Sequence, residues 1–353
     1  MYKTIHNPSR TSPSAGFTLL ELLVAMSLSL ILFGLAFDVA QQLNNIADTV
    51  SSMSDVNENV RAAINMVTRD LQQAGQNIPV SGLPIPSGGS ATAINRPGPP
   101  GGLTFTNGII TVLTPGYQYG RAQGSGANVI NTDSVTIIGV NQASLFNQTP
   151  VTANPTVSAG QATITVSSTA AGYVAPGNLV MLTNANASCL LAVSSVNAAT
   201  GVITFTHGDT TNDLLGVNQF SGPTSGTINQ LQTTGSGAWP KINAYPIWMS
   251  TYYLDNSNPG RLMKQATMGT AQPVALGIDV MTITYYCSSG VSPTRNPASP
   301  NTVQKVAVTM IGETDHQNHA STQWYSKSIT NAVAIQNLDF HNKYGSLANL
   351  TQN

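Results

Sequence analysis

Charge is scarce in this chain. Asp, Glu, Lys and Arg make up 8% of 353 residues, with Lys+Arg 13 against Asp+Glu 14. So thin and balanced a charge excludes a nucleic-acid surface or a polybasic membrane face. Cysteine is limited to Cys189 and Cys287, and neither has a second cysteine or a histidine at the spacing a zinc site needs. No proline falls between Pro13 and Pro79, so nothing in that stretch breaks a helix. Catalytic constellations are missing as well. Gly124-Ser125-Gly126 lacks the strand-before, helix-after setting of a phosphate loop. Asp209-Thr210-Thr211-Asn212-Asp213 lacks the terminal glutamate of a calcium loop. Glu313, Asp315, His316 and His319 offer metal-ligating atoms, but they sit between two expected strands and read better as a solvated hairpin loop. Trp239, Trp248 and Trp324 read as core of a β-rich head rather than as a binding patch. The expectation is no enzyme, no cofactor and no metal.

What the chain does have is a long apolar run, Gly16 to Phe37, in which Glu21 is the sole ionisable side chain. As a helix it spans roughly 32 Å, enough to cross a bilayer core. A carboxylate inside such a rod costs about 2.5 to 3.5 kcal/mol on insertion scales, so Glu21 calls for a partner. An ordinary N-terminal anchor has no use for it. The preceding residues, 1–16, are polar, carry Lys3 and Arg10, and hold the N-terminus on the cytoplasmic side. Everything after Phe37 then faces outward.

Gly16-Phe17-Thr18-Leu19-Leu20-Glu21 resembles the class III signal of type IV pilins and type II secretion pseudopilins. The resemblance implies cleavage after Gly16 by the prepilin peptidase and N-methylation of Phe17 as the mature N-terminus. It also implies that Glu21 meets the amine of a neighbouring subunit in the filament core. There, with water excluded, a charge is tolerated only beside its opposite. Major pilins usually carry a proline near the outer end of the membrane segment. Here only Gly34 interrupts the run, which implies a helix that melts less readily and suits a minor subunit.

Beyond the membrane segment (17–37), Ala40, Leu43, Ala47, Val50, Met53, Val56, Val60, Ala63 or Ile64, Val67 and Leu71 recur every three or four residues. This stripe is expected to pack on a globular head, while Asp48, Asp55, Glu58, Arg61, Arg69 and Asp70 fall largely elsewhere around the helix. A free coiled coil fits less well, because the apolar positions are small or β-branched rather than a leucine seam. Gly75 is the expected C-cap and Pro79 the stop, giving an amphipathic stalk over 38–78. The ending Thr68-Arg69-Asp70-Leu71-Gln72-Gln73-Ala74-Gly75 resembles that of large minor pilins of the PilW type. Physically, Leu71 and Ala74 dock on the head and Gly75 lets the chain leave in a left-handed conformation.

Residues 79–102 hold six prolines and six glycines and read as an irregular excursion. After it come short β-type runs, at 108–113, 134–140, 162–166, 179–182, 190–193, 201–205, 249–254 with a return at 260–262, 275–287, 306–311 and 329–338. With no second convincing helix, the fold class is α+β: a long N-terminal pilin helix packed on a mostly antiparallel β-sheet head, residues 79–353. Gly177 to Thr206, Ala275 to Cys287 and the last two strands resemble PilW-type pilins, with Gln336 where that family writes an arginine.

Both cysteines lie in the part expected to be exported, where disulfides persist. Pairing Cys189 with Cys287 would close a loop of about 100 residues and constrain the unfolded chain by about 4 to 5 kcal/mol. Two separate buried thiols are the other reading. The resemblance implies a structural minor pilin, first anchored in the inner membrane and then part of an extracellular pilus, that helps start pilus assembly at the tip. The implied partners are other minor and major pilins, the prepilin peptidase, the inner-membrane assembly platform and a tip adhesin, with no nucleic acid. The alternatives are a minor pseudopilin of a type II secretion system, for which this head is large, and an adhesive head displayed on a pilin stalk.

Overall fold

Thr18 starts the long helix. Its backbone is extended (φ −77°, ψ 150°), its hydroxyl accepts from the Glu21 N–H, and the Glu21 side chain reaches back to the Thr18 N–H, closing a capping box. In the computed structural model, which describes residues 16–86, 94–99, 103–105, 108–123, 130–220, 225–267, 269–288, 293–314 and 324–339, helix α1 then runs unbroken over Leu19–Gln72. With 1.5 Å per residue its length is roughly 80 Å. The helix stops three residues short of Gly75, at a cap on Gln73. Gly75 itself is left-handed (φ +72°), and its N–H donates to the Ile138 carbonyl at 2.8 Å. An added Cβ there would lie 2.6 Å from Val112, so the chain leaves the helix on glycine, with Leu71 and Ala74 buried before it.

The head is antiparallel throughout its described pairings. An eight-stranded sheet is organised around Asn243–Leu254. One edge of that strand pairs first with Leu179–Thr183 and then with Arg261–Ala266. The other edge pairs with Thr149–Pro150 and then with Ser134–Val140. A second sheet of three strands, Ile278–Cys287, Val303–Glu313 and Ser326–Ala334, carries α1 on its face. The approach is close: a Cβ on Gly312 would fall 2.6 Å from the Val60 methyl. Asp133 ties the two sheets together. Its carboxylate accepts from the Ile283 N–H at 2.8 Å and from Arg295 Nε and Nη2, at 2.9 and 2.8 Å.

The strands Leu179–Thr183 and Ser188–Ala192 serve two hydrophobic clusters at once. Side chains alternate faces along a strand. Leu179, Met181, Leu190 and Ala192 therefore join the main core under α1. Val180, Leu182, Cys189 and Leu191 join a second core with Ile164, Phe205 and Phe146. Burial on both faces explains why LVML and CLLA read as continuous apolar runs rather than alternating ones. A four-stranded sheet, in the order Ala153–Val157, Gln161–Thr165, Val202–Thr206, Ser195–Asn197, closes over that second core.

Several expectations change. The run 275–287 is two strands in two sheets, Gln272–Leu276 and Ile278–Cys287, separated by Gly277 at φ +68°. The last strand ends at Ala334. The excursion at 79–102 is partly ordered: Leu83–Pro84 pairs with Ile109–Ile110, Asn95–Arg96 pairs with Leu103–Thr104, and Leu83 and Ile94 are buried. The apolar stripe docks on the head only from Val56 onward. Leu43, Ile46 and Val50 stay about 60% exposed.

Candidate assembly interface

The first half of α1 is a greasy rod with nothing on it. Phe17, Leu19 and Leu20 are exposed, as are the large apolar side chains onward to Val50, and the apolar window of the helix buries nothing against the head. It is long and apolar enough to cross a membrane. So large an apolar surface is stable only inside lipid or against other apolar helices.

Glu21 stands at the start of this rod, one helical turn from Phe17. Its Oε2 accepts from the Thr18 N–H at 3.0 Å and the Thr18 hydroxyl at 3.1 Å, and its own N–H donates to Thr18 Oγ1 at 3.2 Å. The carboxylate thus faces the positive end of the helix dipole and keeps lone pairs for a further donor. Gly16 and Phe17 lie just outside the helix and carry no described side-chain bond.

Farther along, the helix is bolted to the head through a side chain the sequence had placed off the docking face. Asp70 is 5% exposed. Its Oδ2 accepts from the Tyr252 hydroxyl and from the Lys264 ammonium, each at 2.7 Å. Burial, and then the bond to Asp70, push the Tyr252 phenol well above its usual pKa. The Lys264 ammonium also sits 5.4 Å from the Tyr252 ring centre. On the other side Asn331 donates to the Thr68 hydroxyl at 3.2 Å, and Asn337 to the Ile78 carbonyl at 3.2 Å. Local sequence gave no signal for this lock, since Asp70 and its partners lie 182 and 194 residues apart.

The expected pairing of Cys189 with Cys287 is corrected: both are free thiols. Cys189 is fully buried in the second core, and Cys287 packs against the main core at the end of its strand, so two different clusters hold them apart. Burial pushes the Cys189 thiol up to about 12, so it stays protonated and inert at neutral pH. Thiol titration of the native protein is expected to find Cys287 reactive and Cys189 silent, with both reacting after unfolding. Two unreactive sulfurs in denaturant would restore the disulfide.

Glu313 ends a strand and pairs with Ser326, while Asp315, His316 and His319, and with them the expected loop, lie outside the described residues. Among the described residues no group of His, Cys, Asp and Glu gathers as a metal site. Trp248 packs against the main core and Trp239 against the second, whereas Trp324 is 48% exposed.

A model of the prokaryotic N-terminal methylation motif matches residues 11–37. No curated protein and no solved structure matches the chain. The motif, on a long apolar helix joined to an antiparallel head, supports a type IV pilin-like protein. It implies processing by the prepilin peptidase, anchoring in the inner membrane by the apolar helix, and assembly with other pilins. The role it supports is structural.

Proposed function

We propose that the chain is a minor pilin of the PilW kind, cut after Gly16, methylated on Phe17, and built into a type IV pilus at or near its tip. The observation that carries this reading is the uncovered apolar segment at the start of α1, whose one acid stands a turn from its processed end. Two further features support it: the ending Leu71, Ala74 and Gly75 docks and turns as the PilW resemblance implies, and no proline weakens the helix before Pro79. The partners are major pilins in the fibre core, sister minor pilins against the head, the assembly platform and a tip adhesin. The test is cross-linking in sheared fibres followed by mass spectrometry. The expected result is an N-methylated Phe17 terminus with minor pilins as the neighbours. A chain that keeps residues 1–16 and stays out of the fibre sinks the proposal.

A further inference from the structure

We propose that the head carries a binding site for an acidic saccharide, in a cleft of about 550 Å³ where the Arg96 guanidinium meets the ligand's carboxylate. The argument starts from charge. Arg96 is 5% exposed, and a buried cation without a counter-ion costs several kcal/mol. Its described bonds go to neutral oxygens only: Nε to the Thr136 hydroxyl at 2.6 Å, Nη1 to the Pro115 carbonyl at 2.7 Å and Nη2 to the Thr114 carbonyl at 2.5 Å. A guanidinium has five N–H donors, so each terminal nitrogen keeps one in hand. Desolvation pulls its pKa down to about 10.

Among the described residues no acid pairs with it. Of the Asp+Glu total of 14, only Asp315 lies outside the described residues. The ion pairs formed by the others engage Arg121, Arg261, Lys264 and Arg295, never Arg96. A second unpartnered group lies near Arg96, outside the residues that line the cleft. The Tyr285 hydroxyl, fully buried and within electrostatic reach of Arg96, has no hydrogen-bond partner among the described residues.

The cleft walls choose the kind of anion. Thr104, Thr114 and Asn296 line it beside Phe105 and Tyr119, while the Thr111 hydroxyl in the same wall already donates to the Leu113 carbonyl at 2.6 Å. Ring faces with hydroxyl and amide partners are what a sugar ring asks for, apolar C–H on one side and hydroxyls around the edge. An extended acidic peptide is served less well, because Pro115, Pro297 and Pro300 in the wall have no N–H with which to pair its backbone. Arg96 then supplies the planar fork that a carboxylate fits.

The inference stands apart from the filament reading, since binding is measured on the dispersed protein. Full-length protein in detergent is titrated by calorimetry with glucuronate, glucose, acetate, inorganic phosphate and triglutamate. Glucuronate is expected to bind, with each of the others weaker by at least about tenfold. Arg96→Gln is expected to lower glucuronate affinity at least about tenfold, and Tyr119→Ala, on an exposed ring, several-fold without loss of folding. No heat with glucuronate overturns the proposal, as does glucose matching it. Acetate, phosphate or triglutamate matching glucuronate overturns the saccharide. If Arg96→Gln melts early, Tyr119→Ala decides, and unchanged affinity there overturns the cleft.

Discussion

Glu21→Ala is expected to enter the membrane as well as the parent chain and to be missing from sheared filaments. The two halves of that result follow from where the acid sits. Removing a charge from an apolar segment relieves an insertion cost of about 2.5 to 3.5 kcal/mol, so anchoring survives. In the fibre the same deletion leaves a neighbour's N-terminal amine buried with nothing opposite it, a penalty large enough to reject the subunit. The capping box supplies a competing explanation, since Glu21 also closes its own helix N-terminus. Losing a cap costs about 1 kcal/mol. Glu21→Gln separates the two, because glutamine at the same position keeps the box but not the charge. Both variants absent from the sheared fraction supports the trans ion pair; Gln assembling normally reduces Glu21 to a cap.

Asp70→Ala is expected to lower the stability of the solubilised protein by about 2 to 3 kcal/mol, followed by urea unfolding of the head's tryptophan fluorescence. The loss comes mainly from Tyr252, whose fully buried hydroxyl is left without its acceptor. Lys264 loses less, as its side chain is 27% exposed and can turn to water. Tyr252→Phe alone is expected to cost about 1 kcal/mol, and the double variant less than the sum, because the two residues share one bond. An Asp70→Ala change under about 0.5 kcal/mol would mean that apolar docking from Val56 to Leu71 holds the helix by itself.

Much of this molecule is written locally, and most of what is written locally could be read. The apolar run and the Gly75 exit are each decided within a few residues and were read from them, whereas the Thr18–Glu21 capping box, equally local, went unread beside the signal motif that shares its residues. The strands at 134–140 and 179–183 were equally plain, as both faces of each are buried. Long-range partners were not legible. Asp70 looks like any acid on a polar helix face until Tyr252 and Lys264 arrive, and Arg96 is a lone cation in a proline- and glycine-rich stretch. The two cysteines share a compartment in the sequence reading but not a core in the fold. The stripe of α1 has one period from Ala40 to Leu71, and periodicity alone gives no hint that the head takes hold only at Val56.

That late grip gives the molecule a neck. On the proposed boundaries, residues 38–55 belong neither to the bilayer nor to the head, and at 1.5 Å per residue they hold the two roughly 27 Å apart. Over that distance Val39, Leu43, Ile46 and Val50 stand as a bare seam on one side of the helix. A solitary copy is therefore sticky along its neck, and dwelling alone beside the membrane is the condition it is least suited to.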